Sequence, residues 1–283
     1  YWINFVEELP LEELLELLRE GRQHSGLAPL DEEEVKRALI FGIAKQGSVN
    51  TLKKAIELGA SPYGKDEKEN TLLHMASHNF RVDLVEYVLS LNPKALSAKN
   101  YIYQSPLHLA CLNERVKTVR LLLEKGADVN AQTAKGTTPL LAIAGKTGAD
   151  GQYTHGLEVV KILCDYKADL ELRDSWQDTA FSEACQTGNL LIAKELIKRG
   201  AKQDIHDKEG DTPLIGALRS GYTTVALYLI KEAKQDIHRA NNEGVTPLLY
   251  AFRRGHSNVY RELIKRGADP KVVTRSGNTA LHY

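Results

Sequence analysis

Two histidines in this sequence have a spacing that could bind a metal ion. His74 and His78 are four positions apart, so a helix would place both imidazoles on one face, as in some zinc sites. The metalloprotease pattern also requires a glutamate directly after the first histidine, and Met75 stands there instead. We therefore expect no metal site, and no other cofactor.

A second short motif resembles the end of a phosphate-binding loop. Gly145, Lys146 and Thr147 follow one another, as do the last residues of a P-loop. That loop needs another glycine five residues earlier and a preceding strand, whereas Leu140 occupies the glycine position and the preceding pattern is helical. Nucleotide binding is not expected.

The three cysteines are poor candidates for nucleophiles. Cys111, Cys164 and Cys185 fall on apolar helical positions, and no two of them form a C-x-x-C pair. The sequence also lacks a G-x-S-x-G nucleophile elbow. We therefore expect no catalytic residues and predict that the chain is not an enzyme. Small buried thiols favour a reducing, cytoplasmic location, which includes a host cytosol if a bacterium delivers the protein.

The charges are balanced over the whole chain, with 37 basic and 37 acidic residues. No global field attracts nucleic acid, and the pair Arg253–Arg254 lacks interleaved aromatic residues. No apolar run reaches the roughly 18 residues of a membrane span, so membrane insertion is not expected. Residues 251–283 carry seven bases and two acids, which is either a solvated face or a basic docking end.

The stretch Ser105–Asn130 shows the kind of structural element, a pair of short helices, in which the candidate residues lie. Ser105 is a suitable N-cap and Pro106 a suitable first helical residue. A second helix places Val119, Leu122 and Leu123 on one face, and Gly126 ends it. Such a short unit cannot bury a core alone and needs a copy of itself on either side.

These copies recur with a period close to 33 residues. Equivalent positions, separated by 34, 33, 41, 33, 34 and 33 residues, are Thr71, Ser105, Thr138, Thr179, Thr212, Thr246 and Thr279. At several of them the chain resembles the ankyrin repeat family, whose signature is T-P-L-H-x-A: it reads T-L-L-H from Thr71, S-P-L-H from Ser105 and T-P-L from Thr138. The resemblance implies an all-α ankyrin-repeat solenoid of helix-turn-helix repeats with β-hairpin-like fingers, in which the histidines hydrogen-bond within and between repeats.

The resemblance also sets the expected domains. Residues 34–283 would form the ankyrin repeat domain, with about seven repeats and the start of an eighth, and with first-repeat helices near 34–46 and 50–58. The fourth repeat would carry an insertion at 145–156, as tolerated length variation or as a contact loop. Residues 1–33 would form a helical cap, in which the leucine-rich stretch 9–15 also resembles an F-box helix.

In ankyrin proteins, finger tips and the ends of first helices line a concave groove. The partner-binding residues that this implies are Tyr101, Ile102, Tyr103, Lys135, Trp176, Gln186, Thr187, Lys208, Arg219, Arg253 and Arg254. Tyrosine and tryptophan are the commonest interface hot spots. The alternative is that Tyr103 or Trp176 packs back into the space left where Tyr103 and Gln177 replace finger glycines.

The sequence thus predicts a monomeric, non-catalytic scaffold that binds a partner protein through this concave groove. One alternative is the substrate-recruiting arm of a larger enzyme whose catalytic domain lies outside this chain. The other is an F-box-like ubiquitin-ligase adaptor. Fold-level resemblance does not name the partner.

Overall fold

The computed structural model describes residues 32–146, 154–277 and 279, and these residues form fourteen α-helices. In chain order the helices are α1 Glu32–Gln46, α2 Val49–Glu57, α3 Leu72–Ala76, α4 Val82–Leu91, α5 Pro106–Leu112, α6 Val116–Glu124, α7 Pro139–Ala144, α8 Thr154–Asp165, α9 Ala180–Gln186, α10 Leu190–Lys198, α11 Pro213–Arg219, α12 Thr223–Lys231, α13 Pro247–Arg253 and α14 Ser257–Lys265. A 3-10 helix, Pro93–Ser97, follows α4.

The helices divide between two compact units, one ending at Ala134 and one beginning at Lys135. In the first unit, α3 packs between α1 and α5, and α4 packs between α2 and α6. In the second, α9 packs between α7 and α11, α10 packs against α8, and α12 packs against α14. Each repeat therefore contributes a first and a second helix, and its apolar face is buried by the neighbouring repeats of its unit.

The predicted helix starts are confirmed by the caps. Thr138 Oγ1 accepts a hydrogen bond from the backbone N–H of Leu141 at 3.1 Å, which satisfies one of the free donors of the first turn. Pro106 and its equivalents occupy the first helical position, where no hydrogen bond is lost. Gly126, with φ of +90°, follows the C-cap of α6 as predicted.

The imidazole of His74 holds two repeats together and is fully buried. Its Nδ1 accepts from the backbone N–H of Thr71 at 3.1 Å, and its Nε2 lies 2.9 Å from the carbonyl oxygen of Gln104 in the next repeat. Burial lowers the pKa of His74, so the ring stays neutral and can accept at Nδ1. The predicted hydrogen-bonding role of this histidine is confirmed.

Five of the fingers are tight turns held by a side chain at their first position. In the fifth repeat, Asp174 Oδ1 accepts from the backbone N–H groups of Trp176 and Asp178, at 2.9 and 3.0 Å. In four other fingers the side-chain oxygen of the first residue likewise accepts from a backbone N–H group of its own turn. These residues are Asp66, Asn100, Asp207 and Asn241. The turn needs a left-handed residue at its fourth position, and where glycine is absent this residue is Glu69 at φ of +57°, Tyr103 at +64° or Gln177 at +66°.

Neighbouring fingers within a unit are joined by one backbone hydrogen bond each. The Tyr101 N–H donates to the Lys68 carbonyl at 3.0 Å, and the Ser175 N–H donates to the Lys135 carbonyl at 2.8 Å. In the described part of the chain one pair, Lys65 and Thr71, meets the pattern of a β-bridge, so the fingers are turns more than hairpins.

The first repeat and the insertion differ in detail from the prediction. Helix α1 begins at Glu32, two residues earlier than expected. Helix α8 begins at Thr154, so the end of the predicted 145–156 insertion belongs to a helix. Helix α8 is 12 residues long against 9 in α10, because part of the inserted length extends the helix. Residues 147–153 and nearly all of the predicted cap at 1–33 lie outside the described residues.

Candidate functional site

In the first unit, a groove of about 550 Å³ lies between the finger tips and the first helices. Its apolar lining comes from Phe41, Met75, Tyr101, Ile102 and Leu109. Its charged lining is balanced, with three acids and three bases: Glu34, Asp66, Glu67, Arg37, Lys45 and Lys68. This surface is therefore suited to an apolar contact with no strong preference for charge.

Among the exposed aromatic side chains of the first unit, Tyr101 and Tyr103 lie on a finger and Phe80 lies on a helix-end turn. Tyr101 is 56% exposed, and Tyr103 is exposed beside Lys99, whose Nζ lies 5.5 Å from the ring centroid. Phe80 is 80% exposed and stacks against Arg115, with 3.4 Å between guanidinium carbon and ring centroid. Phe80 is not among the partner-binding residues predicted from the sequence.

The second unit has a groove of about 390 Å³ in the equivalent place, with a different lining. Trp176, Leu141 and Ala142 supply apolar surface, and Gln186 and Arg219 supply polar groups. Five acidic side chains also line it: Asp174, Asp178, Glu183, Asp207 and Glu209. With one arginine against five acids, this groove is strongly negative.

Arg219 is the cation of this groove, and its guanidinium is held by the chain itself. Its Nη1 lies 2.7 Å from Asp211 Oδ2, and its Nη2 lies 3.5 Å from Asp207 Oδ2. Nη2 also donates to Gln186 Oε1 at 3.1 Å, and Gln186 Nε2 donates to Asp178 Oδ1 at 2.6 Å. The guanidinium thus connects two fingers to the ends of α9 and α11.

Glu183 lies in the groove against the end of α7. A Cβ placed on Gly145 would come within 2.5 Å of Glu183 Oε1, so the glycine leaves the room that this carboxyl occupies. Burial first, and the negative charges of Asp178 and Asp174 second, raise the pKa of Glu183 to about 7. The carboxyl therefore titrates near neutrality.

The neighbouring aspartates are shifted in the same direction. Burial raises the pKa of Asp178 to about 6, and the charges of Asp207 and Asp174 add to the effect. Burial also raises the pKa values of Asp207 and Asp211, while Arg219 opposes the increase. Several carboxyls are thus crowded together with one compensating cation.

Trp176 stands at the edge of this groove with a 45% exposed side chain. The Nζ of Lys135, on the preceding finger, lies 4.9 Å from the ring centroid. The finger backbone is fixed on both sides of the tryptophan, since its N–H donates to Asp174 Oδ1 and its carbonyl accepts from the Lys208 N–H at 2.9 Å. The ring is therefore presented from a fixed turn and has not packed back into the finger.

Several of the predicted binding residues are brought together by the structure. Trp176, Gln186 and Arg219 line the groove of the second unit, and Lys135 contacts the tryptophan. In the first unit, Tyr101 and Ile102 line a groove together.

Other predicted residues lie outside the linings of both grooves. Thr187 Oγ1 donates to the Glu183 carbonyl at 2.7 Å and to the Ala144 carbonyl at 3.0 Å, so its hydroxyl joins helix ends. Lys208 is exposed on the next finger, and Arg253 and Arg254 are exposed at the end of α13. Tyr103 is exposed at the fourth position of its finger turn.

The acidic residues of the second groove were missed by sequence reasoning, although the repeat register contains the signal. Asp174 and Asp207 stand five residues before a helix cap, and Asp178 and Asp211 one residue before it. In the first unit the same positions hold Asp66 and Asn70, and then Asn100 and Gln104. Glu183 occupies the first-helix position that holds Met75 and Leu109 in the first unit.

The residues considered for chemistry have packing roles. Cys111 and Cys185 are fully buried, and burial raises the pKa of Cys164 to about 11, so none of these thiols is activated. Within residues 32–146 and 154–277, no three metal-ligating side chains converge on one point. Gly145 faces Glu183, and Thr147 lies outside the described residues.

Family comparisons agree with the repeat architecture. A family model described as ankyrin repeats (3 copies) matches residues 39–133 and 149–241, and a model described as ankyrin repeats (many copies) matches residues 229–283. The chain belongs to the ankyrin repeat family. The prediction of an all-α ankyrin-repeat solenoid is thereby confirmed, and ankyrin repeats imply protein–protein interaction.

Relatives with similar sequences are longer proteins. Ankyrin repeat and KH domain-containing protein mask-1 of Caenorhabditis elegans is 31% identical over 172 residues, covering 60% of this chain and 6% of that protein. Ankyrin repeat and SOCS box protein 3 of Bos taurus is 31% identical over 180 residues, covering 62% and 32%. Palmitoyltransferase ZDHHC13 of Homo sapiens is 26% identical over 243 residues, covering 74% and 38%. The chain thus spans well under half the length of each of these relatives.

The part of the chain that the structure describes holds no membrane-spanning helix. None of the helices there combines the length and the apolar character needed to cross a bilayer.

Proposed function

We propose that this ankyrin repeat chain is a non-catalytic binding module that holds a segment of a partner protein between its finger tips and its first helices. The observation that carries the proposal is the exposure of Trp176 on a fixed finger beside an open groove. Tryptophan is the residue most enriched among interface hot spots, and a solvent-exposed ring on a rigid turn loses little entropy on binding.

The first unit supports the same proposal. Tyr101 and Ile102 expose apolar side chains at a finger tip. With Met75 and Leu109 they line a groove that, like that of the second unit, lies between finger tips and first helices. Exposed apolar residues that cluster beside a concavity are typical of protein-binding surfaces.

The experiment compares partner capture by three versions of the full chain. Wild type, Trp176→Ala and the control Tyr63→Ala are immobilised, and the proteins that they retain from a native lysate are quantified. Tyr63 is also an exposed aromatic residue, but it lines neither groove. We expect a specific partner to be retained by wild type and Tyr63→Ala and lost by Trp176→Ala.

The partner, once purified, gives the decisive measurement. We expect Trp176→Ala to weaken its binding by about 2 kcal/mol or more, as hot-spot truncations do, with a nearly unchanged melting temperature. Tyr101→Ala should weaken it less. If Trp176→Ala lowers the melting temperature while the partner still binds normally, the tryptophan is a packing residue and this site assignment is wrong.

The proposal includes a reducing, cytoplasmic location and a monomeric chain. The three cysteines are buried and unpaired, which supports a reducing compartment. Both grooves are lined by residues of a single chain, so binding does not require a second copy. Sedimentation velocity of the purified chain tests the monomer, and fractionation of the native source tests the location.

A second candidate function is that of a recruiting arm within a longer protein. It is supported by relatives whose names include a palmitoyltransferase and a SOCS box protein, and of which this chain covers 38% and 32%. The F-box-like stretch at 9–15 lies outside the described residues and stays a prediction. The complete reading frame tests this candidate, because a catalytic or ligase-binding domain on the same polypeptide would support it and repeats alone would contradict it.

A further inference from the structure

We infer that the groove of the second unit binds a positively charged segment of the partner, with a lysine or arginine side chain entering between Trp176 and Glu183. The inference rests on the proposed function and specifies the chemistry of the partner at one of its two grooves. Trp176 and Glu183 line the same groove of about 390 Å³.

The acidic side chains that line this groove outnumber the basic ones by five to one. The guanidinium of Arg219 contacts Asp207, Asp211 and Gln186. The charges that act on Glu183 are those of Asp178 and Asp174, and both are negative. A cation from outside would relieve this repulsion, so the groove is complementary to a basic side chain.

The Trp176 ring is a second feature that favours a cation, and it does so independently of the acids. Lys135 already places its Nζ 4.9 Å from the Trp176 ring centroid, within the range of a cation–π contact. Its ammonium group shows that the surroundings of this ring accept a positive charge. A partner's lysine or arginine, positioned over the ring, would make the same kind of contact.

The grooves of the two units differ in the charge of their linings. Three acids and three bases line the groove of the first unit, with Met75 and Leu109 at its base. The negative charge is therefore a local property of the second unit and does not follow from the ankyrin architecture. The inference predicts that the two grooves select different parts of a partner.

The experiment is an unbiased selection followed by matched binding measurements. A random dodecapeptide display library is selected on the full wild-type chain, with counter-selection on Trp176→Ala. We expect the enriched peptides to carry a net positive charge. Enrichment of neutral or acidic peptides, or no enrichment at all, would overturn the inference.

The best peptide is then synthesised with a fluorescent label, together with a copy in which its lysines are acetylated and its arginines are replaced by citrulline. By fluorescence anisotropy we expect the neutralised copy to bind at least tenfold more weakly. Glu183→Gln and Trp176→Ala should each weaken binding of the basic peptide at least fivefold. Trp176→Phe should weaken it less than Trp176→Ala does. Equal binding of the two peptides, or no effect of Glu183→Gln, contradicts the inference.

Two controls address non-specific charge and other ligands. Glu158→Gln removes an acid from the exposed side of α8, and Tyr63→Ala removes an exposed aromatic that lines neither groove; both should change binding less than twofold. A calcium titration identifies a different occupant, since calcium that competes with the peptide at micromolar concentration would indicate a metal site. If the natural partner depends on Trp176 but the selected peptides are not basic, this inference fails while the proposed function stands.

Discussion

Arg219 Nη1 lies 2.7 Å from Oδ2 of Asp211, whose side chain is almost completely buried. The two atoms are close but are not aligned for a hydrogen bond, so the contact is an ion pair. The same guanidinium approaches Asp207, another buried carboxylate. The arginine that the sequence predicts as a partner contact is therefore also the internal counter-charge of two carboxylates in one finger.

We predict that Arg219→Gln lowers the free energy of unfolding by about 1–3 kcal/mol at pH 8, measured by urea denaturation. The change leaves two buried carboxylates without a cation, and the figure is below that for a fully buried pair because the Arg219 side chain is 34% exposed. The loss should shrink as the pH falls, since burial raises the pKa values of both aspartates and they lose their charge at a higher pH than free aspartates do. Arg254→Gln, on the exposed end of α13, should change stability by less than about 0.5 kcal/mol. Equal effects of the two variants would contradict the pairing.

A second prediction concerns the core of the first unit. Leu107 is 1% exposed, and Leu107→Ala should cost about 2–5 kcal/mol because it leaves a cavity in a packed core. Hydrogen exchange should accelerate most in α3, α5 and α6, since repeats couple chiefly to their neighbours. Leu58→Ala, at an exposed position, serves as the control and should cost less than about 0.5 kcal/mol. A uniform loss of protection across the chain would argue against nearest-neighbour coupling.

The third prediction concerns the finger turns. Gln177 has a φ of +66°, a conformation that strains a residue with a Cβ, so Gln177→Gly should raise the free energy of unfolding by up to about 1 kcal/mol. Gly244→Ala should have the opposite effect and cost about 1–3 kcal/mol. The added Cβ would lie 2.8 Å from the backbone nitrogen of Arg275, which donates to the Glu243 carbonyl between fingers. Thermal denaturation of the two variants tests the pair, and a loss of stability in both would refute the argument for Gln177.

Much of the fold could be predicted from the sequence because each repeat uses the same local chemistry. The caps at Thr71 and Ser105, the glycine that ends α6 and the role of His74 depend on residues within one repeat or in the next. The start of α8 could not be predicted, because inserted residues can extend a helix or lengthen a loop with little difference in local pattern.

The binding surface was harder to predict, because a groove depends on side chains that converge from different repeats. The sequence identified Trp176 by its size and its place on a finger tip. It did not identify Glu183, whose environment depends on Gly145 in one repeat and on Asp174 and Asp178 in its own finger. Comparing each repeat position across the fingers would have shown the acids, since Asp174 and Asp207 are equivalent positions.

The last prediction uses the raised pKa of Glu183. In the folded chain this pKa is about 7, above the ordinary value near 4.5, so the folded state binds more protons than the unfolded state between these two values. The stability that the protonated carboxyl provides is fully present below about pH 4.5 and is lost as the pH rises through 7. Glu183→Gln keeps the shape of the neutral acid and removes this loss.

We therefore expect Glu183→Gln to be more stable than wild type at pH 8, by on the order of 2 kcal/mol, and to match it at pH 4.5. Urea denaturation at both pH values measures the difference, and Glu158→Gln on the exposed side of α8 should show no such pH dependence. The same substitution should weaken binding of the basic peptide at pH 8. The Glu183 carboxylate would therefore lower the free energy of unfolding of the chain and raise its affinity for the peptide. A Glu183→Gln variant no more stable than wild type at pH 8 would mean that the carboxyl is well solvated, and the crowding of negative charge in this groove would be refuted.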